Sequence, residues 1–499
     1  MQFALLVSVF VIASCGLIYE LVAGALSSYL LGDSITQFST VIGTYLFAMG
    51  VGSWLSRHIH NHIPERFIMI EIMVGLVGGF SAAILFLCFA FAGEPFRIIL
   101  YFLVTLIGIL VGIEIPLVMR LLEKDLKLSE LVSSVLSVDY LGALLVSVLF
   151  PLLLAPHLGF VRTSLMFGAF NVIVAIWVVN LFKESIAHYR RYYTLGIFSL
   201  ALITGGFIGA EKLMRFSEIK MYGDDIIYTQ STPYQRIVLT RWRDDFRLFL
   251  NGNLQFSSRD EYRYHESLVH PALATLPHAR DVLVLGGGDG MAVRELLKYS
   301  QIEHITLVDL DPQMTQLFKN DNVLSKLNNL SLQSPKVEII NADALRWMEA
   351  QAQSYDAIVV DFPDPTNYAL GKLYTVTFYQ MLRRHLRPQG LAVVQTTSPL
   401  YAPKSYWMVH NTARAAGFTT TGYHALVPSF GEWGFMLLSE KPYAPPTTIP
   451  VQTRFLNNST LPILFIFPKD MQSDIQEINR LDNQALVRVF EQEWGAAIR

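Results

Sequence analysis

Long apolar runs fill the first two fifths of the chain. A helix needs about 20 apolar residues to cross the hydrocarbon core of a bilayer. Seven stretches before residue 212 have that length: residues 3–25, 37–55, 67–92, 96–118, 130–154, 161–182 and 192–210. The first stretch lacks the basic leader of a signal peptide, so we expect it to be retained. The pattern therefore predicts an all-α transmembrane bundle of about seven helices over residues 1–212, in contact with the lipid bilayer.

Basic residues in the connecting loops bear on the orientation of these helices. One set of loops carries Arg57, Arg66, Arg120, Lys124, Lys127, Lys183, Arg190 and Arg191, whereas the opposite set carries only Arg97 and Arg162. By the positive-inside rule the N-terminus is cytoplasmic, and an odd number of spans places the C-terminal half outside.

From about Phe216 the chain alternates short apolar runs with polar helical segments. Residues 216–266 predict a small β subdomain, with strands at 225–229, 236–240 and 246–250. Residues 267–445 predict an α/β Rossmann-like domain, because apolar strands at 282–285, 304–310, 337–340, 357–360 and 391–395 alternate with helices. The C-terminal extension, residues 446–499, is too irregular to assign.

Composition narrows the classes of function. The chain is 52% hydrophobic and 16% charged, which is unusual for a wholly soluble protein. A formal charge of −3 gives no basic surface for nucleic acid. Cys15 and Cys88 both lie in apolar runs, so they offer the polar half neither a disulfide nor a zinc site. We assign no metal site, because the loop histidines His58, His60 and His62 are more typical of a solvated loop.

A glycine turn follows the first strand of the Rossmann-like domain, in the segment Val282-Leu-Val-Leu-Gly-Gly-Gly-Asp-Gly290. Glycines such as Gly286 and Gly288 allow a ligand to approach the backbone at the carboxyl end of a strand. The alternative is a tight turn without a ligand. Asp309 ends the second strand about 20 residues later, where a carboxylate can bind ribose hydroxyls. Together the turn and this acid predict a nucleoside site.

Further acids follow the later strands. Asp343 comes after the third strand, where it either accepts a hydrogen bond from an adenine amino group or caps the next helix. Asp361 and Asp364 come after the fourth strand, in a turn stiffened by Pro363 and Pro365 that also tolerates acids for structural reasons. We expect these acids and Asp289 to share one edge of the sheet, and such a charge favours a cationic substrate.

Motifs over residues 222–441 resemble those of spermidine synthases in order and spacing. They are Tyr234-Gln235, Leu250-Asn-Gly-Asn-Leu-Gln255, Asp260-Glu261, Tyr264-His-Glu266, Gly286-Gly-Gly-Asp-Gly290, Asp309, Asp343 and Asp361-Phe-Pro-Asp-Pro365. In that family decarboxylated S-adenosylmethionine, a co-substrate rather than a bound cofactor, donates an aminopropyl group to putrescine and leaves methylthioadenosine. The resemblance also implies a homodimer or homotetramer.

The resemblance assigns roles to residues of this chain. Asp361 is implied as the proton acceptor. The nucleoside site comprises Gln235, Asp309, Asp343 and Ala344, with Gly286 and Gly288 in the turn. The aminopropyl group and the amine are assigned to Tyr264, His265, Asp289 and Asp364. Because that nucleoside is made in the cytosol, substrate supply favours a cytoplasmic catalytic domain on the cell (inner) membrane, against the count of basic residues.

This chain departs from the family pattern. Phe362-Pro363 replaces the usual Ser or Thr between the two acids, and the segment 427–435 lacks a tyrosine that often lines the diamine site, although Glu432 could replace it. The acceptor amine is therefore open. Two alternatives remain: a methyltransferase on the same fold, and a transporter or sensor of polyamines. Asp289 disfavours the first, since it would repel the carboxylate of ordinary S-adenosylmethionine.

Four carboxylates fall within or at the ends of the apolar stretches: Glu20, Glu71, Glu114 and Asp139. Ionisable groups are costly in a membrane and often line a polar path. They suit a path for cationic polyamines, although interfacial positions account easily for Glu20 and Glu71.

Overall fold

A computed structural model describes residues 2–31, 34–92, 95–123 and 128–497. The chain forms two compact units, Met1–Ile226 and Ile227–Arg499. Lys124 and Lys127, two of the loop bases counted above, lie outside the described residues.

The first unit is helical, as predicted. Its helices are α1 (Gln2–Leu31), α2 (Ser34–Ser56), α3 (Ile63–Ala92), α4 (Phe96–Leu122), α5 (Leu128–Leu149), α6 (Ala155–Leu181) and α7 (Tyr189–Tyr222), with a π-helical turn at Phe150–Leu154 between α5 and α6. Six helical segments of the described residues are long and apolar enough to cross a membrane. One of them, Ser129–Leu181, spans 53 residues and contains two of the predicted stretches. Gly159, with φ +73°, interrupts its helical backbone between those two stretches.

Glycines allow helices of this unit to approach closely. A Cβ atom at Gly52 of α2 would lie 2.1 Å from the carbonyl oxygen of Ile109 in α4. A Cβ atom at Gly112 would lie 2.2 Å from the carbonyl oxygen of Met49. Small residues at such contacts are typical of helices that pack through van der Waals contact rather than through the hydrophobic effect.

The small β region forms an antiparallel sheet in the order β1-β2-β3-β4. Its strands are β1 (Asp225–Ser231), β2 (Arg236–Trp242), β3 (Asp245–Leu250) and β4 (Asn253–Ser257). The strands occupy a shorter range than the predicted subdomain of 216–266, because α7 continues to Tyr222 and helix α8 (Glu261–Leu273) begins before Glu266. In α8 the apolar residues Tyr264, Leu268 and Ala272 recur every four positions and are all buried, which is the period of a helix.

The second sheet has seven strands in the order β10-β11-β9-β8-β5-β6-β7. Strands β5 to β9 are parallel, and they correspond to the five predicted strands, although β6 ends at Asp309, one residue earlier than predicted. Their bounds are β5 (Asp281–Gly286), β6 (His304–Asp309), β7 (Val337–Asn341), β8 (Tyr355–Asp361) and β9 (Leu386–Thr396). Two further strands, β10 (Thr419–Val427) and β11 (Gly431–Ser439), form an antiparallel hairpin that the sequence analysis did not separate.

Strand β5 lies between β6 and β8, so the strand order reverses direction at β5. In open α/β sheets, ligands bind beyond the carboxyl ends of the strands at such a reversal. The remaining helices connect the strands: α9 (Met291–Leu296), α10 (Pro312–Asn320), α11 (Leu324–Leu327), α12 (Ala344–Ala350), α13 (Tyr368–Gly371), α14 (Val376–His385) and α15 (Pro403–Ala415).

The C-terminal extension folds onto the Rossmann-like domain and ends in helix α16 (Ala485–Ala497). The carboxylate of Glu266 in α8 is fully buried. It accepts hydrogen bonds from the backbone N–H groups of Arg454, Phe455 and Leu456, at 2.6, 2.8 and 3.0 Å. The extension is therefore bound to the helix that carries Tyr264 and His265.

Candidate active site

The glycine turn brings the ends of β5, β6 and β8 together. Gly286 has φ +80°, and a Cβ atom there would lie 2.2 Å from the carbonyl oxygen of Asp361. A Cβ atom at Gly288 would lie 2.7 Å from Oδ2 of Asp309, which accepts a hydrogen bond from the Gly288 N–H at 3.1 Å. Glycine is required because these two carboxylate-bearing strand ends leave no space for a side chain.

Asp309 is held from both sides at the end of β6. Its Oδ1 accepts a hydrogen bond from the N–H of Asp311 at 2.9 Å. Burial raises the pKa of Asp309 to about 6. Gln235, from the loop between β1 and β2, donates from Nε2 to Oδ2 of Asp311 at 3.0 Å. This hydrogen bond holds Gln235 at the carboxyl end of β6, near Asp309. Asp311 was not predicted as a site residue.

Asp343 caps helix α12. Its Oδ1 accepts a hydrogen bond from the N–H of Arg346 at 3.1 Å, and Ala344 follows as the first helical residue. Its Oδ2 also forms an ion pair with Nζ of Lys372 at 2.7 Å. Burial raises the pKa of Asp343, but the ion pair and the backbone donors outweigh burial and lower it overall. The capping interpretation is therefore seen directly, and a contact to adenine stays a prediction.

Asp361 ends β8 beside Tyr264. The hydroxyl of Tyr264 donates to Oδ1 of Asp361 at 2.6 Å. Burial raises the pKa of Asp361 to about 6, and the charge of Asp289 raises it further, whereas His265 and the Tyr264 hydroxyl lower it. A carboxylate with this pKa is ionised at neutral pH and remains basic enough to accept a proton.

His265 supplies a positive charge next to these acids. Its Nδ1 lies 2.8 Å from Oε2 of Glu261, one turn earlier in α8. Burial opposes protonation, but Glu261 dominates, with help from Asp289 and Asp361, and raises the pKa of His265 to about 9. Nδ1 therefore donates to Glu261, and His265 is an imidazolium at neutral pH.

Glu261 is oriented in turn by Arg294 of α9. The guanidinium binds both of its carboxylate oxygens, at 2.8 and 2.9 Å. Glu261 belongs to the Asp260-Glu261 motif, from which no role for it was predicted. Its spacing of four residues from His265 is the one signal that could have revealed the pair.

Asp289 lies at the N-terminus of α9. Its Oδ1 accepts from the N–H of Met291 at 2.8 Å, and its side chain is buried. Burial raises the pKa of Asp289, while the imidazolium of His265 lowers it. The charge of His265 also acts on Asp361, so the two acids and His265 share one region of the site.

Asp364 follows in the turn after β8. Burial raises its pKa to about 7. Among the described residues, its buried Oδ1 has no hydrogen-bond partner. Nearby Gln395 of β9 donates to the hydroxyl of Tyr374 at 2.9 Å and accepts from Trp433 Nε1 at 3.1 Å. Gln395, Tyr374 and Trp433 were not predicted as site residues from the sequence.

Glu432 was considered above as a replacement for a tyrosine of the diamine site, but its carboxylate contacts a histidine. It pairs with Nδ1 of His424 on the adjacent strand β10, at 2.5 Å. Alternate residues of a strand face opposite sides of the sheet, so Glu432 lies on the face opposite Trp433. Glu432 is therefore committed to His424.

A parallel sheet with a glycine turn at its reversal point and buried acids at the same edge defines the class: an α/β protein with its ligand site at the carboxyl ends of the strands. The family model described as Spermine/spermidine synthase domain matches residues 261–449.

Relatives extend the match to the full chain. A polyamine aminopropyltransferase 2 of Ralstonia nicotianae is 54% identical over 504 residues, covering 99% of both chains. A polyamine aminopropyltransferase of Leptospira interrogans is 51% identical over 498 residues, again covering 99% of both. This chain belongs to the polyamine aminopropyltransferase family and is a transferase of polyamine biosynthesis.

Solved structures also match. A spermidine synthase crystallised with the transition-state analogue AdoDATO is 24% identical, with a TM-score of 0.45, and the match covers 50% of this chain and 88% of that one.

Proposed function

We propose that the protein transfers an aminopropyl group from decarboxylated S-adenosylmethionine to putrescine or a related amine, giving spermidine and methylthioadenosine. The observation that supports this most is the grouping of Asp361 with Tyr264, His265 and Asp289 at the carboxyl edge of the sheet. Buried acids at this edge offset the positive charges of an amine and a sulfonium. No permanently bound cofactor is needed, because the sulfonium is already an activated leaving group.

The reaction is a direct displacement. The lone pair of the acceptor nitrogen attacks the methylene carbon bonded to sulfur, and the carbon–sulfur bond breaks with its electron pair passing to sulfur. Sulfur becomes the neutral thioether of methylthioadenosine. The nitrogen loses a proton to Asp361, whose pKa of about 6 lets it act as a base at neutral pH. The remaining contribution of the protein is alignment and charge complementarity.

The binding residues divide into two groups. The nucleoside group comprises Gln235, Gly286, Gly288, Asp309, Asp343 and Ala344, and Asp309 accepts hydrogen bonds from the ribose hydroxyls in this proposal. The amine group comprises Tyr264, His265, Asp289 and Asp364. Of these, Asp364 has a buried Oδ1 without a hydrogen-bond partner among the described residues, and in this proposal a terminal ammonium of the acceptor donates to it. The imidazolium of His265 lowers the pKa of both Asp289 and Asp361, which favours their ionised forms.

Purified full-length protein tests this proposal directly. It is incubated with decarboxylated S-adenosylmethionine and a panel of diamines of increasing length, and products are identified by mass spectrometry. We expect equal amounts of methylthioadenosine and aminopropylated amine, with the best diamine identifying the acceptor. Turnover only with ordinary S-adenosylmethionine would instead assign the protein as a methyltransferase.

We further propose that the helical unit anchors the enzyme in the cell membrane, with the catalytic unit in the cytoplasm. The length and apolar composition of six helical segments support this location. The cytosolic origin of the nucleoside supports the orientation, against the positive-inside count. Protease digestion of the catalytic unit in inverted vesicles, but not in intact spheroplasts, is the expected result. The reverse pattern would place it outside. A dimer or tetramer stays a prediction from the family.

A further inference from the structure

The C-terminal extension reaches the amine side of the candidate site through helix α16. Nε1 of Trp494 donates a hydrogen bond to Oγ1 of Thr397 at 3.0 Å. Thr397 follows directly after β9, and only 3% of its surface is exposed. Gln395, two residues earlier, donates from Nε2 to the carbonyl oxygen of Phe362, in the turn that also carries Asp364. The last helix of the chain therefore contacts the strand end that lies beside this turn.

The direction of the hydrogen bond from the indole determines what the Thr397 hydroxyl can do. A hydroxyl has one hydrogen to donate and accepts through its lone pairs. Because Oγ1 of Thr397 accepts from the indole, its own hydrogen remains for another acceptor. Burial raises the pKa of Asp364, whereas hydrogen bonding by the side chains of Gln395 and Thr397 lowers it. Asp364 is therefore an acceptor to which the Thr397 hydroxyl can donate.

Packing around Trp494 fixes the position of its indole. The ring lies against Tyr401 and Phe490, with centroid distances of 5.8 and 6.0 Å. The preceding residue, Glu493, accepts hydrogen bonds from the backbone N–H groups of residues 404 and 405 at the start of α15, at 2.8 and 2.9 Å. Helix α16 is therefore attached on both sides of the segment that joins β9 to α15.

A second contact of the extension supports the same turn through Tyr374. Asn479 is fully buried, and its Nδ2 donates to the carbonyl oxygen of Tyr374 at 3.0 Å. The hydroxyl of Tyr374 donates to the carbonyl oxygen of Pro363, directly before Asp364, at 3.1 Å. Oδ1 of Asn479 accepts from the N–H of Leu486 in α16 at 3.2 Å. The extension thus supports the surroundings of Asp364 at two separate points.

We propose that Trp494 is a positioning residue for the acceptor amine, because it orients the Thr397 hydroxyl to donate to Asp364 and so holds this carboxylate in place for an ammonium group. Strand β9 lies on the opposite side of β5 from β6 and β7, whose ends carry Asp309 and Asp343. The effect of Trp494 is therefore confined to the amine half of the site. The inference rests on the proposed function, which assigns Asp364 to the acceptor amine.

The amine affinity of the full-length protein tests the inference. Calorimetry measures the binding of putrescine and longer diamines to protein saturated with methylthioadenosine. Trp494→Phe keeps a ring against Tyr401 but removes the N–H donor, so amine affinity should fall about fivefold while methylthioadenosine affinity is unchanged. Trp407→Phe is the matched control, since its Nε1 also joins α15 to the extension, at the carbonyl oxygen of Met471 at 2.8 Å. This control should leave amine affinity unchanged.

Variants of Thr397 test whether the indole acts through that hydroxyl. Thr397→Val should weaken amine binding by a similar factor, whereas Thr397→Ser, which keeps the hydroxyl, should retain it. Adding Trp494→Phe to Thr397→Val should cause no further loss, because contacting residues that act as one unit are not additive. Additive losses, an unchanged amine affinity in Trp494→Phe, or an equal loss of methylthioadenosine affinity would overturn the inference. Thr397→Val provides the measurement if Trp494→Phe does not fold.

Turnover with decarboxylated S-adenosylmethionine is measured in parallel, so that the two proposals can fail separately. Normal turnover with no effect of Trp494→Phe on amine affinity refutes this inference alone. Absent turnover with amine binding that Trp494→Phe weakens refutes the proposed reaction and supports the positioning role. A protein that binds no diamine refutes both.

Discussion

Tyr264→Phe removes one hydroxyl from the candidate catalytic site and leaves the ring in place. That hydroxyl donates to Asp361 at 2.6 Å and lowers the pKa of this carboxyl group. The variant therefore raises the pKa of Asp361. Because a protonated Asp361 cannot accept a proton from the amine, the variant should lose activity at low pH and keep it at high pH.

The size of the effect follows from the energy of the bond. A hydrogen bond to a charged group contributes about 1.5–3 kcal/mol, and one pKa unit corresponds to about 1.4 kcal/mol. Water restores part of the hydrogen-bond energy that the variant loses. We therefore expect the pKa of Asp361 to rise from about 6 by about one unit. At pH 6 the ionised fraction then falls from about a half to about a tenth, a fivefold loss of kcat/KM. At pH 8.5 both proteins are almost fully ionised.

The assay is kcat/KM for methylthioadenosine formation from pH 5 to 9, expressed as the ratio of unmodified protein to variant. Taking the ratio cancels the titration of the diamine and of Asp364. Tyr443→Phe is a matched control, since its hydroxyl donates to the carbonyl oxygen of Pro271, also in α8, at 2.6 Å. The control should show a ratio independent of pH. A Tyr264→Phe ratio that is constant, or that increases at high pH, would refute the role given to this hydroxyl.

Three further variants test other parts of the account. Asp343→Asn keeps a capping side chain for α12, so the melting temperature should hardly change, while calorimetry should show about tenfold weaker methylthioadenosine binding if Asp343 contacts adenine. Glu266→Gln leaves buried N–H groups of residues 454–456 without an anionic acceptor, and denaturant titration should show a loss of about 2 kcal/mol in unfolding free energy. Gly288→Ala places a methyl group 2.7 Å from Asp309, so nucleoside affinity should fall about tenfold while amine binding is retained.

Features with a local sequence period were predictable. The seven apolar stretches correspond to helices, and strands β5 to β9 were located because each is an apolar run between polar helices. The glycine turn and Asp309 were identified from their spacing, and they lie in contact, with Gly288 donating to Asp309.

Features that depend on distant pairing were not predictable from one sequence. Glu266 meets its backbone partners 188 to 190 residues later in the chain, and no local pattern marks residues 454–456 as those partners. Trp433 and Gln395 become neighbours only because the β10–β11 hairpin is added beside β9. Helix α8 was not predicted, although Tyr264, Leu268 and Ala272 recur at a helical spacing of four residues.

The central claim is that Asp361 accepts the proton of the attacking amine. Single-turnover measurement of Asp361→Asn, loaded with decarboxylated S-adenosylmethionine and mixed with the acceptor amine, tests it most directly. We predict that the chemical step slows by a factor of about 10²–10⁴ while methylthioadenosine binding is retained. A variant that forms product as fast as the unmodified protein would contradict the account.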